Sequence, residues 1–134
     1  MPIAQPKQKP KKKLKTITNK LDELVSRIVR LRDQYCITCG SSENAQCGHY
    51  ISRVFVNIRW DLENCHRQCA SCNVKHEQDT VPYTIFMQQK YGNDKIIELS
   101  QLAHSPKKIN RVERLKLLEE LKELHKKMEA LHDQ

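Results

Sequence analysis

Two Cys-x-x-Cys pairs constrain the fold of this sequence more than any other feature. Cys36 and Cys39 form the first pair, Cys69 and Cys72 form the second, and 29 residues separate the two pairs. Each pair can present two thiolates to one tetrahedral zinc ion at Zn–S distances of about 2.3 Å. A chain of 134 residues buries little apolar surface, and a bound zinc ion would supply folding free energy that its small core lacks. The sequence therefore predicts a structural zinc site with four cysteine ligands.

The other two cysteines, Cys47 and Cys65, are predicted to be small buried apolar residues. An alternative is that Cys65 or His66 replaces one of the four zinc ligands. Metal binding is favoured over disulfides because the first residues contain no apolar segment typical of a secretory signal. The longest apolar runs span only a few residues, such as 54–56, which is too short to cross a bilayer. We expect an intracellular protein without a membrane span.

Most of the net charge of +8 lies at the N-terminus, where residues 1–20 contain seven lysines and no acidic residue. A lysine-rich segment with several prolines cannot bury enough apolar surface to fold, so residues 1–15 are predicted to form a disordered basic arm. Such arms commonly contact phosphates of nucleic acids without sequence preference, although a solubilising or targeting tail is the alternative. The lysines proposed for DNA contact are Lys11, Lys12, Lys13 and Lys15.

The hydrophobic spacing predicts an α+β fold that is mostly helical. A first amphipathic helix is expected over residues 18–35, with Thr18 or Asn19 as its cap. The helical period disappears between residues 36 and 60, where a β-hairpin is predicted with short strands in segments 50–56 and 57–60. Short helices are expected around residues 69–79, after Pro82, and from about residue 94 to 104. Together these elements form one predicted domain over residues 16–105.

Residues 106–134 form a predicted long helix because they contain no glycine and no proline after Pro106. Apolar residues recur there at alternating intervals of four and three, at Leu117, Leu121, Leu124, Met128 and Leu131. This seam is typical of a coiled coil, which would join two copies of the chain in a homodimer. Leu115 and Leu118 widen the apolar stripe, so packing of the helix on its own domain is an equal alternative.

Between and after the cysteine pairs lies a group of polar residues that a simple zinc ribbon does not explain. His49 is on the predicted hairpin, Asn64 lies in its return, and Asn73 directly follows the last cysteine. His76 is three residues after Asn73 and shares its helix face, so both side chains can point toward His49. One imidazole base and one site for a hard cation would then face each other.

The motifs that carry these residues resemble those of the phage NinG (Rap) recombination nucleases, over roughly residues 35 to 100. The shared motifs are Cys-Ile-Thr-Cys-Gly, Gly-His-Tyr, Asn-Cys-His-Arg-Gln-Cys-Ala-Ser-Cys-Asn and Val-Pro-Tyr. More broadly, the pattern resembles the HNH or ββα-metal endonucleases, including the endonuclease VII type with a four-cysteine zinc site. The resemblance implies a small ββα-metal core that binds a divalent cation. It also implies metal-dependent cleavage of phosphodiesters in branched DNA, such as Holliday junctions and D-loops, during phage recombination in a bacterial cytoplasm.

The resemblance also implies a role for each matching residue. His49 would be the general base that activates water, and a histidine pKa near 6.5 suits that task. Asn64 would hold the loop and orient the base. Asn73 would bind the catalytic Mg²⁺ or Mn²⁺ through its side-chain oxygen, and the cation would stabilise charge on the scissile phosphate.

One position departs from the family pattern, because many members have an aspartate ligand where this chain has Gly48. His76, Asp61 or Glu63 could complete the cation site in its place. Arg53, Arg59 and Arg67 are candidates for phosphate contacts, or they are solvated or paired with Asp61 and Glu63. If no residue replaces the aspartate, the chain would be a zinc-stabilised DNA-binding module without catalysis. A coiled-coil assembly protein is a third alternative, which leaves the histidine and asparagines unexplained.

Overall fold

A computed structural model describes residues 16–133 and has the mixed, mostly helical α+β architecture that the sequence predicts. Its elements in chain order are α1 (Ile17–Arg32), β1 (Ala45–His49), a short 3₁₀ turn (Val56–Ile58), β2 (Cys65–Cys69), α2 (Ala70–His76), α3 (Val81–Tyr91), α4 (Asn93–Ala103) and α5 (Arg111–His132). The predicted basic arm over residues 1–15, with Lys11, Lys12, Lys13 and Lys15, lies outside the described residues.

Helix α1 begins one residue earlier than the sequence predicts, and its cap is also earlier. The hydroxyl oxygen of Thr16 accepts a hydrogen bond from the backbone N–H of Asn19 at 3.1 Å. Thr18 and Asn19, the two predicted caps, lie inside the helix. Thr16 is the cap because its backbone is extended and its hydroxyl is three residues before a free N–H, which is the geometry of an N-cap.

The two strands of the sheet do not lie where the sequence places the hairpin. β1 and β2 are antiparallel, with Ala45 opposite Cys69 and His49 opposite Cys65. Residues 50–64 form a long connection that contains the 3₁₀ turn, so the predicted strands at 50–56 and 57–60 are wrong. The apolar residues of this connection do not alternate across one sheet: Ile58 and Trp60 pack into different cores.

Two hydrophobic cores flank the sheet. The first contains α1 and α5, and Trp60 and Cys65 pack with them. The second contains α3 and α4 and receives Ile58 from the connection between the strands. The two strands therefore lie between helices on both sides, which holds the ends of β1 and β2 in place.

Helix α5 packs on the domain that precedes it, as one of the two alternatives for this segment expects. Leu118 and Leu121 are buried against the first core, and Leu117, Leu124 and Met128 pack at its edge, whereas Leu131 at the end is 70% exposed. Most of the apolar seam is thus covered by the chain's own α1. The homodimer through this helix remains a prediction, and so do the boundaries 16–105 and 106–134, the second of which begins in the loop before α5.

A bilayer crossing requires a long apolar helix, and the part of the chain from residue 16 to 133 contains none that meets this requirement.

Candidate metal and catalytic site

The four cysteines of the two Cys-x-x-Cys pairs come together at one end of the sheet. Cys36 and Cys39 lie in the turn after α1, Cys69 ends β2, and Cys72 lies in the first turn of α2. Their four sulfur atoms all lie within 4.8 Å of one another, and the sulfurs of Cys39 and Cys69 are 3.7 Å apart. Four sulfurs at about 2.3 Å from one tetrahedral ion would be about 3.8 Å apart. The cluster therefore fits one metal ion such as zinc.

The surroundings of Cys36 favour its thiolate form. The sulfur of Cys36 is 3.2 Å from the hydroxyl of Thr38. Burial raises the pKa of Cys36, but hydrogen bonds from Thr38 and from backbone N–H groups outweigh it and lower that pKa to about 6. The backbone N–H of Cys72 also points to the sulfur of Cys69, at 3.5 Å. These donors stabilise negative charge on sulfur before any ion binds.

Neither Cys65 nor His66 belongs to this cluster. Cys65 lies at the opposite end of β2, in a group with Cys47 and His49. His66 is fully buried between two tyrosines: its Nδ1 is 3.0 Å from the hydroxyl of Tyr83, and its Nε2 is 2.7 Å from that of Tyr91. Both residues were alternatives for a zinc ligand, and the structure places them elsewhere.

The hydrogen bonds around His66 determine where its proton lies. The hydroxyl of Tyr83 donates to the carbonyl of Gly48 at 2.8 Å, so it must accept from Nδ1–H of His66. The Nε2 atom then accepts from the hydroxyl of Tyr91. Burial, aided by the charge of Arg32, lowers the pKa of His66 to about 3. His66 is thus a neutral, structural residue that fixes the strand carrying Gly48 and His49.

His49, the predicted general base, is at the end of β1 with its ring held by one backbone group. Its Nε2 is 2.8 Å from the carbonyl oxygen of Arg59, which can only accept, so Nε2 carries the proton. The Nδ1 atom therefore has a free lone pair. Burial lowers the pKa of His49, and the nearby charge of Arg53 acts in the same direction. At neutral pH the imidazole is uncharged and able to take up a proton.

Asn64 holds the loop that carries this carbonyl. It is fully buried and its side chain bonds both backbone groups of Ile51, accepting from the N–H and donating to the C=O at 2.9 Å each. It also donates to the carbonyl of Ile58 at 3.3 Å. The connection between β1 and β2 is thereby tied to the start of β2, directly beside His49.

Helix α2 presents Asn73 and His76 on one face. The amide nitrogen of Asn73 donates to Gln46 at 2.9 Å, which leaves its Oδ1 free. The Nε2 atom of His76 donates to the carbonyl of Tyr50 at 2.8 Å. Its Nδ1 is shielded from solvent and has no hydrogen-bond partner within residues 16–133. Each side chain thus offers one unused lone-pair donor.

One cavity of about 660 Å³ connects these residues. It is lined by His49 from β1, by Asn73 and His76 from α2, and by three arginines, Arg30, Arg53 and Arg59. Arg59 forms a bidentate ion pair with Asp22, with N–O distances of 2.9 and 2.6 Å, whereas Arg53 is exposed. The cavity therefore combines an uncharged imidazole, free lone pairs and positive charge.

Asp61 does not reach this cavity. It lines a different one with Trp60 and Leu117, where burial raises the pKa of its carboxyl group, and it accepts a hydrogen bond from the N–H of Glu63. Glu63 lines that second cavity too and pairs with Lys95 at 3.2 Å. Neither acidic residue is placed to complete a cation site next to Asn73.

Gly48 packs closely against the side chain of Gln68. A Cβ at this position would meet the end of the buried Gln68 side chain, which is diagonally across the sheet, opposite Gln46, on the face away from His49. An aspartate here, as in many HNH nucleases, would require the Gln68 side chain to move.

Two carboxylates that line the cavity, those of Asp22 and Glu77, were not predicted from the sequence as site residues. Asp22 of α1 accepts from Arg59 and, at 2.8 Å, from the indole N–H of Trp60, so it positions the loop across the cavity. Glu77 follows His76 and is exposed at the cavity wall. Glu77 lies four residues after Asn73, and this spacing, which places two residues on one helix face, could have identified Glu77 from the sequence. No local pattern indicated Asp22, because its partners are 37 and 38 residues away.

Comparison with known proteins identifies the family. The family model described as "Bacteriophage Lambda NinG protein" matches residues 3–132. A ninG protein of Escherichia phage 933W is 34% identical over 73 residues, which cover 52% of this chain and 36% of that protein. The ninG protein of Salmonella phage P22 is 36% identical over 66 residues, which cover 47% of this chain and 32% of that protein.

The ninG protein of Escherichia phage lambda is 33% identical over 73 residues, or 52% of this chain and 36% of the phage protein. The matched part thus spans about a third of the length of these curated relatives. No solved structure matches the chain. Because the family model covers nearly the whole sequence, the chain belongs to the NinG family of phage proteins.

Proposed function

We propose that this NinG family member is a metal-dependent DNA endonuclease of the HNH type. One observation carries the proposal: His49 has its Nε2 proton engaged by the carbonyl of Arg59, its Nδ1 lone pair free, and its pKa lowered, on a cavity that also holds Asn73 and His76. A general base needs this combination of fixed orientation and a neutral ring near pH 7.

In the proposed reaction, His49 takes a proton from water at Nδ1 as the water attacks a DNA phosphate in line with the leaving oxygen. The resulting imidazolium keeps its bond to the carbonyl of Arg59, which accepts more strongly from a charged donor. Asn64 holds that carbonyl in place through its bonds to Ile51 and Ile58. The base therefore neither rotates nor reorganises during the proton transfer.

The residues of α2 suit a divalent cation. Asn73 Oδ1 is a hard oxygen ligand, His76 Nδ1 is a shielded nitrogen without a partner in the described part of the chain, and the Glu77 carboxylate lines the same cavity. When bound there, Mg²⁺ or Mn²⁺ would supply positive charge to the scissile phosphate and to the leaving oxygen. Asp61, the other predicted ligand, is replaced in this proposal by Glu77.

Arg53 is the residue of the described chain best suited to contact the DNA backbone. It is exposed, lines the cavity, and has no ion pair among residues 16–133. The lysines of the N-terminal segment, Lys11, Lys12, Lys13 and Lys15, are proposed to extend this contact. The resemblance to the NinG recombination nucleases is the basis for proposing branched DNA in phage recombination as the substrate. A zinc ion in the four-cysteine site would hold β2 and α2 together beside the cavity.

A non-catalytic, zinc-stabilised DNA-binding module is the second candidate. The observation in its favour is Gly48, because the cavity lacks an aspartate next to His49 and one of its two carboxylates, Asp22, is already paired with Arg59. In that case the cavity would hold a phosphate without cutting it, and His49→Ala would leave DNA binding unchanged.

The test is cleavage of labelled four-way junction and of linear duplex with the same arm sequence, with Mg²⁺, with Mn²⁺ and with neither. Wild type, His49→Ala and His132→Ala are compared at equal zinc content. His132 is an exposed histidine at the end of α5, so it is a matched control.

The nuclease predicts cation-dependent cutting that His49→Ala lowers by about 10²- to 10⁴-fold and that His132→Ala retains. A higher rate on the junction supports branched DNA as the substrate. DNA binding without cutting under either cation would reject the nuclease and favour the binding module.

A further inference from the structure

A second group of metal-ligating side chains lies apart from the four-cysteine cluster. Cys47 and His49 are alternate residues of β1 and so share one face of the sheet, and Cys65 is directly opposite His49 on β2. The ligand atoms of these three residues all lie within 4.8 Å of one another. Both strands are held rigidly by the ladder between them, so the three ligands are brought together before any ion binds.

The proposed hydrolysis uses His49, whereas neither thiol reacts in it; the Cys65 thiol donates to the carbonyl oxygen of Arg59 at 3.6 Å. Both cysteines are free, and the four-cysteine cluster is complete without them. Cys65 is buried in the first core and Cys47 packs against it, as the sequence predicts, and packing alone does not use the metal-binding capacity of their sulfur atoms. Two thiols and an imidazole converging at one wall of the cavity are instead the ligand set of an open zinc site, in which the fourth position remains available.

We propose that Cys47, Cys65 and His49 form a second binding site for a soft divalent cation such as zinc. Two thiolates neutralise the charge of the ion, which allows it to bind at this largely buried position. Cys47 and His49 line the 660 Å³ cavity, so the fourth coordination position faces that cavity and takes water or a phosphate oxygen.

Occupancy of this site removes the free lone pair of His49, and this consequence rests on the proposed nuclease function. If the ion binds Nδ1, the lone pair that would accept the proton from water is used. If it binds Nε2, the bond to the carbonyl of Arg59 is lost, and the proton of the neutral ring must move to Nδ1. The imidazole ceases to be a base in both cases. Zinc at the second site therefore inhibits the nuclease.

The test for binding uses Cd²⁺ as the probe, because each cadmium–thiolate bond adds ultraviolet absorbance. The reduced full chain is titrated alongside the double variant Cys47→Ser/Cys65→Ala. We expect two Cd²⁺ per wild-type chain, with absorbance corresponding to six thiolates. The double variant should bind one Cd²⁺ per chain, with absorbance corresponding to four thiolates.

One Cd²⁺ per wild-type chain would overturn the proposal. The single variant Cys47→Ser provides a second route, since serine fits the volume of cysteine at this half-buried position. We expect it to keep the four-cysteine absorbance and to weaken uptake of the second ion by at least tenfold. Unchanged uptake of the second ion would contradict the assignment of Cys47.

The inhibition is tested separately by adding excess zinc to the Mg²⁺-dependent cleavage assay. Each protein is compared with its own rate in Mg²⁺ alone. We expect the half-inhibiting zinc concentration to rise at least tenfold in Cys47→Ser. An equal half-inhibiting zinc concentration in the wild type and in Cys47→Ser would show that zinc at the second site does not inhibit cleavage. If the wild type binds two Cd²⁺ but cuts no DNA, the nuclease proposal fails and the second site stands.

Discussion

The carbonyl oxygen of Arg59 accepts a hydrogen bond from Nε2 of His49 at 2.8 Å, and this one contact determines which nitrogen can act as a base. Arg59 itself is held by Asp22 on α1, and the loop around it is held by Asn64. Three separate parts of the chain therefore orient a single imidazole.

The first prediction concerns the pH dependence of cleavage. The base acts when His49 is neutral, and burial lowers its pKa below the ordinary value of 6.5. As the pH falls through that lowered pKa, the imidazole gains a proton and kcat/KM falls. We expect kcat/KM to be constant near pH 7 and to decrease tenfold per pH unit at the acid end, with a midpoint below 6.5. A midpoint above 6.5, or the same profile for the residual activity of His49→Ala, would contradict this assignment.

The second prediction separates the roles of two asparagines, Asn64 and Asn57, in the connection between β1 and β2. Asn64→Ala removes three hydrogen bonds and leaves both backbone groups of Ile51 without their partners, so we expect a loss of about 3 kcal/mol in unfolding free energy. We also expect kcat to fall at temperatures where the variant is fully folded, because the loop with the Arg59 carbonyl is no longer held.

Asn57→Ala is the matched control. Asn57 also makes three side-chain hydrogen bonds, to Leu102, Lys107 and Ile109, but it ties the loop to the segment before α5. We expect a smaller loss of stability, about 1–2 kcal/mol, because its site is accessible to water, and an unchanged kcat. Urea unfolding measures the stability of the two variants, and single-turnover cleavage measures their rate of cutting. Equal effects of the two variants on kcat would mean that Asn64 contributes only to stability.

The third prediction tests the tyrosine pair around His66. Tyr83→Phe removes the hydroxyl donor to the carbonyl of Gly48 and leaves Nδ1–H of His66 without its acceptor, both in the fully buried core. We expect a loss of about 2–4 kcal/mol. Tyr91→Phe removes one donor at a half-buried site where water can replace it, so about 1 kcal/mol is expected. Denaturant unfolding at saturating zinc gives both values, and the reverse order would reject the donor and acceptor roles assigned to the two hydroxyl groups.

The fourth prediction distinguishes Arg53 from Arg59, two of the three arginines that line the cavity, which the sequence treats as equivalent. Arg59 is engaged by Asp22, so Arg59→Ala is expected to cost about 1 kcal/mol in stability by leaving that carboxylate unpaired. Arg53→Ala should leave stability unchanged and weaken DNA binding, with a salt dependence reduced by about one phosphate contact. Binding to a labelled duplex at several salt concentrations gives the slope for each variant. An unchanged slope for Arg53→Ala would remove Arg53 from the DNA-binding surface.

The sequence predicted the parts of this protein that depend on local spacing. Helical periodicity located α1, α4 and α5, and the Cys-x-x-Cys pattern identified all four members of the cysteine cluster. The strands were misplaced because the apolar residues of the connection serve two different cores, which no periodicity records. Asp22 was missed for a related reason: its partners are distant in sequence, and only the packing of α1 against the sheet brings them together.

The last prediction concerns the four-cysteine cluster. The sulfurs of Cys36, Cys39, Cys69 and Cys72 bring the turn after α1 to the end of β2 and the start of α2, so a zinc ion there would crosslink these segments. We expect one tightly bound zinc per chain, and removal of it by a strong chelator to unfold the protein. Cys39→Ser, at an exposed ligand, should lose this zinc and melt at a lower temperature. Cys47→Ser, outside the cluster, should retain the tight zinc and a melting temperature near that of the wild type. Because Cys39 is exposed, its loss creates no cavity, and a lowered melting temperature therefore reports the lost metal. A fully folded, zinc-free protein would show that the cluster contributes nothing to stability.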